Sequence, residues 1–531
     1  MTSVRFCVKM ELMKNLNNTI NFNTFLSSYQ LVLPLCVEVL IPKDTSVRVL
    51  ASVLEQIDFS DEIKSYAKRE HKLQFAIMLR VVVYGYMRGF RSTRDIEAAC
   101  KENINFMWLL EGHPVPDHNT VNRFINAVDI NAVLVKVNKL LIELDELKFE
   151  HAFIDGTKFE ANANRYSFVW KKSVEKHRAK LLPKIELFLN EINTRYGIKF
   201  LSVDGAINYL QLKEFEQVCG KGKRKCQEQR DLETAQDYQK RLNQYESYMQ
   251  TIGENRGSMS KTDPDATFMR LKEDHMKNGQ LKPAYNVQLC IESEYITGVY
   301  VSSDRNDATT LIPFLDKIET EYGKRHKNAT LDAGYESEEN YVYLKNKGQT
   351  AYIKPQNYEQ QKTHEYKKQI GRKENMRYDP VLDEYTCSNG KKLKAAYTYK
   401  RKSTSGYEQT VTKYRCENCT ACPVRKLCTK AKDDNLKELE CSRLFEELRT
   451  ASKERIVSEL GIQLRINRSI QAEGAFGIIK QDHEFRRFNR RGKAGITKEL
   501  ALLAVALNIN KLHTRLINDQ TGFTLHEIKS D

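Results

Sequence analysis

The spacing of apolar residues changes twice along the chain. From about Ser46 it is helical, and "KLQFAIMLRVVVYGYMRGF" (72–90) is apolar on almost every side, which predicts a largely buried helix. "STRDIEAACKEN" follows, with Ser92 placed as an N-cap and Asp95 three residues on, a relaxed capping box. In "PVPDHNTVNRFINAV" (114–128) two prolines and Asp117 or Asn119 stop one helix and start another. Short helices around a tight polar turn fit a helix-turn-helix, and they fit an ordinary helical bundle equally well.

At "FEHAFIDGT" the period drops to two. Strands are predicted at 152–154, 285–291, 296–301, 329–331 and 350–355, and a helix at 311–322. One strand, then two adjacent strands, a helix and two more strands is an α/β order. Two long segments interrupt it. Residues 169–252 are highly charged and helical, with Tyr238, Leu242, Tyr245 and Met249 at helical spacing and a basic loop, "GKGKRKCQEQR". Residues 357–437 are polar, hold most of the clustered cysteines and read as lacking a core of their own. "ELALLAVALNINKLH" near the end predicts an apolar helix packed on the core. The expected division is an Asn-rich arm (1–45), a helical domain (46–148), an α/β core (149–356 and 438–515) carrying insertions at 169–252 and 357–437, and a tail (516–531).

Composition narrows the function. The 531 residues exceed what one small core needs. Lys plus Arg is 85 against 70 for Asp plus Glu, a net charge of +15. Charge of this size can serve solubility alone, but the basic residues cluster, which favours a polyanion and nucleic acid first. No run of eighteen apolar residues occurs, and the most apolar stretch, 31–42, is broken by Pro34 and Glu38. A soluble cytoplasmic protein without a membrane span is therefore expected. With no secretion signal, the twelve cysteines read as metal ligands or free thiols rather than disulfides.

Three acids stand out. Asp155 closes the first predicted strand, and Gly156 leaves the backbone room to turn away. Asp332 closes the short strand in "LDAGYESEEN". Glu473 lies on a helix in "RSIQAEGAFGIIKQDHEFRRFNRRG". Any one of them alone would be a turn or cap residue. Converging from separate segments, hard oxygen ligands suit Mg²⁺ or Mn²⁺. Two such ions roughly 4 Å apart serve phosphodiester displacement.

These stretches, with "KTDPDATFMR", "AYNVQLCIE", "PDHNTVNRF" and the cysteine run, carry a resemblance. The sequence resembles DDE transposases of bacterial insertion sequences, most closely the eleven-eighty-two group, from about Val47 to His513. The resemblance implies an RNase H-like catalytic core with Asp155, Asp332 and Glu473 as its triad. It also implies a helical N-terminal DNA-binding domain, cleavage and strand transfer on the element's terminal inverted repeats and target DNA, and a homodimer in a synaptic complex. Of the family's Tyr-Arg-Glu-Lys signature, Lys480 stands seven residues after Glu473. The tyrosine position holds Ile466 and the arginine position Ser469, with Arg468 next door.

Glu473, Phe476, Gly477 and Lys480 share a helical face by spacing. Lys480 and the cluster Arg486, Arg487, Arg490, Arg491 and Lys493, set around Phe485 and Phe488, read as phosphate contacts; a solvated helix end is the plainer reading. Asn162, Asn164 and Arg165 are further DNA-contact candidates. Asp263 and Asp265 read as a turn before the strand at Tyr285. Cys416, Cys419, Cys422 and Cys428 form C-x2-C-x2-C-x5-C, with Cys387 a fifth candidate. Structural Zn²⁺ fits these thiols, and which four bind it is open. An iron–sulfur cluster matches the first gaps but not the last. Three other functions stay open: an inactive transposase-derived DNA-binding protein, a general metal-dependent nuclease and a helical, zinc-bearing interaction protein.

Overall fold

The computed structural model describes residues 37–67, 73–220, 224–254, 256–271, 279–432 and 435–527. The Asn-rich stretch of the expected arm and part of the basic loop at 220–230 lie outside them.

Strand β1 (His151–Glu160) lies inside a six-stranded mixed sheet. On one side it pairs in parallel with β7 (Asn328–Leu331), and β7 with β8 (Thr350–Ile353). On the other it pairs antiparallel with β5 (Leu281–Glu292). The far edge of β5 carries β4 (Thr267–Arg270) at its start and β6 (Tyr295–Ser302) along the rest. Ser293 and Glu294 join β5 to β6 in a two-residue hairpin, both at positive φ (54 and 62), as such tight turns require. Setting β4 aside, the strands run third, second, first, fourth, fifth across the sheet.

Alternation divides β1 between two cores. Phe153 points into a large cluster, while Ala152 and Ile154 point into a second one with α11 (Leu311–Tyr322) and α12 (Glu338–Asn346). Burial on both faces explains why β5 reads as an almost unbroken buried run. The large cluster extends from Ile41 to Leu512. It is built by the helices α1 (Ser46–Glu55), α2 (Ser60–Ala67), α3 (Phe75–Met87), α4 (Thr93–Glu102), α5 (Ile104–Leu109), α6 (His118–Ala127) and α7 (Ile130–Glu143) against the sheet. Ser92 caps α4 and Asp117 caps α6 through their side chains, as read from the sequence.

The first strand does not end at Ile154. β5 pairs with every residue of β1 from Phe153 to Glu160, so Asp155 and Gly156 sit inside an antiparallel ladder. What ends is the parallel partner, since the last β7 pair is Ile154 with Leu331. Gly156 makes no turn. Gln288 lies opposite it, and a Cβ there would come 2.4 Å from Gln288 Nε2.

Between β1 and β4 the ribbon of β2 (Phe168–Trp170) and β3 (Ser258–Ser260) forms a neck. It leads to α8 (Lys171–Tyr196), α9 (Val203–Gln211) and α10 (Gln227–Ile252). Tyr238, Leu242 and Tyr245 face the core of this helical unit, as their spacing predicts, while Met249 packs instead with Val169, Val174, Ile252 and Met259 at the neck.

After β8 the polar segment forms an antiparallel sheet: β9 (Arg377–Asp379), β10 (Glu384–Thr386), β11 (Lys392–Lys402), β12 (Glu408–Cys416) and β13 (Glu438–Cys441). It does have a core, contrary to the sequence reading. Met376, Tyr385, Leu393, Tyr414, Cys416, Cys419 and Cys441 are buried together.

The chain then runs through α13 (Arg443–Val457) and α14 (Glu459–Arg468) to α15 (Gly492–Ile517). By length and composition α15 alone among the described residues could cross a membrane. In this fold 61% of its apolar window is buried, with contacts to β6, α3 and α7.

Candidate active site

Asp155 enters from β1. Asp332 directly follows β7 and caps the next turn, its Oδ1 accepting the Gly334 N–H at 2.8 Å. Glu473 comes from the helical run after α14. All three line one cleft of about 500 Å³, with Thr157, Arg468, Phe476, Lys480 and Arg486 among its other walls. The Arg468 guanidinium spans two of the acids, 3.6 Å from Asp155 Oδ2 and 3.0 Å from Glu473 Oε1. Among the described residues no three His, Cys, Asp or Glu side chains are gathered into a metal-holding group. The acids thus share a cleft without closing into a ligand shell, and Glu473 keeps 55% of its side chain exposed.

The helical run is irregular in a way that matters. Ser469–Glu473 and Ile478–Asp482 are π-turns on either side of one α-turn, Gly474–Gly477. A π-turn pairs residues five apart, where an α-helix pairs residues four apart. Arg468, five before Glu473, therefore faces it. The signature's linear spacing puts the arginine position at Ser469, and the π-turn sets its neighbour Arg468 against Glu473 instead. Phe476, Gly477 and Lys480 share the cleft with Glu473 as expected. Lys480 Nζ donates to Thr157 Oγ1 at 2.9 Å and lies over the Phe159 ring.

Four polar residues beside the acids escaped the sequence reading: Asn286, Gln288, Asp307 and Tyr335. Tyr335 donates its phenol proton to Gln288 Oε1. Burial, then the charges of Asp307, Asp155 and Asp332, hold that phenol well above its ordinary pKa. The missed signal was a pair of amides two residues apart, at 286 and 288, in a strand buried on both faces.

The basic cluster is a loop leading into α15, not a helix end. Phe485 and Phe488 are buried against Phe159, with ring centroids 5.4 and 5.7 Å away. Arg486 lines the cleft and the cavity adjoining it, and Arg487 lines that cavity alone. Arg487 also donates to the Ala161 and Ala163 carbonyls, and Arg491 to that of Asn162. Arg490 donates to Asn126 and Asn122 on α6, at 2.5 and 3.0 Å. The second helix of the helix-turn-helix reading thus meets this loop through its polar face. Lys493 has an exposed side chain.

Asn162 donates to the Asn489 carbonyl and Arg165 pairs with Glu160. Asp263 and Asp265 cap α15 from outside rather than simply turning the chain: Asp263 Oδ1 accepts from Gly492 N at 3.2 Å and Asp265 Oδ2 from Lys493 N at 2.9 Å. Burial raises the pKa of Asp263.

Cys387, Cys416, Cys419, Cys422 and Cys428 line one small cavity in the antiparallel sheet, and no disulfide joins the described cysteines. The Lys437 N–H donates to Cys419 Sγ at 3.3 Å and the Asn389 amide to Cys422 Sγ at 3.6 Å. Burial pushes the Cys416 thiol up to about 12, with Cys419 and Cys387 adding to the shift.

Residues 386–513 match a family model described as Transposase DDE domain, and residues 35–127 match one described as Transposase domain (DUF772). The first range holds the cysteines, the π-turns, Glu473, Lys480 and the basic loop; Asp155 and Asp332 lie outside both. No curated protein and no solved structure matches the chain.

Proposed function

The chain is a DDE transposase of an insertion sequence, and from that premise we propose that Asp155, Asp332 and Glu473 are the carboxylates with which it cuts the ends of its element and joins them to target DNA. The observation carrying this reading is the one cleft lined by three acids from β1, the end of β7 and the run after α14. The strand order, with one acid on the central strand and one after its parallel neighbour, supports an RNase H-like core.

The donors suit divalent cations. They are hard carboxylate oxygens, and the Arg468 guanidinium between Asp155 and Glu473 already occupies the place of a positive charge for which a bound cation would compete. Asp155, Asp332 and Glu473 would hold Mg²⁺ or Mn²⁺, which would supply activation of the attacking oxygen and charge neutralisation on the leaving one. The chain supplies the frame. Asp155 is fixed by its antiparallel ladder with β5, one residue past the end of the β7 pairing, and Asp332 by its own turn. Lys480 and Arg486 meet scissile or flanking phosphates at the cleft, and Arg468 turns to phosphate once its acids are neutralised otherwise. Arg487, Arg490, Arg491 and Lys493, with α4 to α6, hold the terminal repeats. Joining two ends calls for a dimer or a larger synaptic complex, with a homodimer its simplest form. The thiol cavity, with N–H donors aimed at sulfur, suits a structural Zn²⁺ on four of its five cysteines.

The test is cleavage of linear DNA with and without the element's terminal repeats, in Mg²⁺. Cation-dependent cutting at the repeats followed by joining supports the reading. Specific binding without cutting leaves a DNA-binding protein, and equal cutting of both substrates leaves a general nuclease; either result overturns it.

A further inference from the structure

The loop after β6 brings a fourth carboxylate beside the cleft, into an adjoining cavity that Asp332 also lines. Asp307 opens a short 3₁₀ turn, Asp307–Thr309. Its Oδ1 accepts from Asn286 Nδ2 at 2.6 Å and from Gln288 Nε2 at 3.1 Å. Both amides project from the same face of β5 and are 1% and 0% exposed. They are joined to each other at 3.0 Å, and Gln288 is held from its other end by Tyr335. Buried donors therefore fix the Asp307 carboxylate through one oxygen, and the second oxygen faces Gly334.

A Cβ on Gly334 would lie 3.3 Å from Asp307 Oδ2 and 3.0 Å from Asp332 Oδ1. The two carboxylates thus flank one backbone position that carries no side chain, and both line a cavity of about 360 Å³ that shares Gly156, Thr157, Asp332, Lys480 and Arg486 with the cleft. Among the described residues their partners are side-chain amides and a backbone N–H, while Arg468 is engaged by Asp155 and Glu473. Lys158, Arg165, Lys282, Lys480, Arg486 and Arg487 line the same cavity, but neither carboxylate is ion-paired among the described residues, and two neighbouring carboxylates without a paired cation suit a small hard cation. The competing role for Asp307 is to accept from the two amides. An asparagine could fill that role, because its carbonyl oxygen accepts equally.

We propose that Asp307 is a fourth carboxylate of the cation site, holding through Oδ2 the same cation as Asp332. This rests on the reading of Asp155, Asp332 and Glu473 as catalytic carboxylates.

The experiment is Mn²⁺ titration of the full-length, DNA-free protein, followed by the loss of the free-ion electron paramagnetic resonance signal. Wild type, Asp332→Asn, Asp307→Asn and Asp307→Glu are compared at a temperature where all are folded by circular dichroism. The expected results are binding by wild type, loss of binding in Asp332→Asn, and weakening by about tenfold or more in Asp307→Asn. Asp307→Glu, which keeps the charge, recovers most of that affinity. Wild-type affinity in Asp307→Asn, or equal weakening by Asn and Glu, overturns the proposal and leaves the catalytic reading standing. Wild-type affinity in Asp332→Asn, or no binding by wild type, overturns both.

Discussion

Gln288 lies over Gly156, so the smallest residue in β1 stands beside the first acid for a packing reason. Gly156→Ala would push the amide away from Tyr335 and Asp307. We expect a loss of about 1–3 kcal/mol in chemical denaturation. Adding Gln288→Ala should cost less than the sum of the two single changes, because the clash is removed. Arg468 is the other residue whose role is local. Replacing it with alanine leaves Asp155 and Glu473 without their shared cation. DNA-free Mn²⁺ affinity should then rise, because less positive charge competes for the acids. End cleavage should fall by ~10²-fold as a phosphate contact is lost. Unchanged affinity and rate would show that the bridge has no part in the site. The three acids were legible in the sequence because each sits at a strand boundary or beside glycine. Arg468 was legible only as the neighbour of the signature position Ser469, since linear spacing carries no sign of the π-turn that sets it against Glu473. Asp307 was not, because nothing local distinguishes it from a turn aspartate.

Among the elements, α15 shows how one part of the chain organises another. Its first N–H groups are capped by Asp263 and Asp265, more than two hundred residues earlier in the chain, and Glu499 accepts from the Asn489 and Arg490 N–H groups. Asp265→Ala should cost about 1 kcal/mol, the usual worth of a cap, in thermal melts. Its Mn²⁺ affinity should match wild type; a loss of cation binding would make the Asp-Pro-Asp loop part of the metal site instead. The α/β order and the helix at 311–322 could be read directly, because their periods are clean. The five strands from β9 to β13 could not. β11 is exposed along most of its length, and its core is made largely of tyrosines and cysteines rather than an aliphatic stripe. The sequence also ended β1 too early, because the helical unit that follows hid the pairing of 153–160 with β5.

At the scale of the molecule, α1 to α7 and the sheet share one continuous core, and Arg490 ties α6 to the basic loop beside the cleft. Recognition of DNA and chemistry on it would then be mechanically linked. With a net charge of +15, binding to the element's ends should weaken steeply with salt. Lys480→Ala and Arg486→Ala should each lower the slope of log K against log salt by about 1, measured by fluorescence anisotropy. An unchanged slope would place those side chains off the phosphates. The central claim is that three carboxylates in one cleft perform the cutting. Its most direct test is single-turnover cleavage of end-bearing DNA in Mg²⁺ by Asp155→Asn, Asp332→Asn and Glu473→Gln. All three should bind the DNA like wild type and cut it at least ~10²-fold more slowly; any one of them cutting at the wild-type rate would contradict the account.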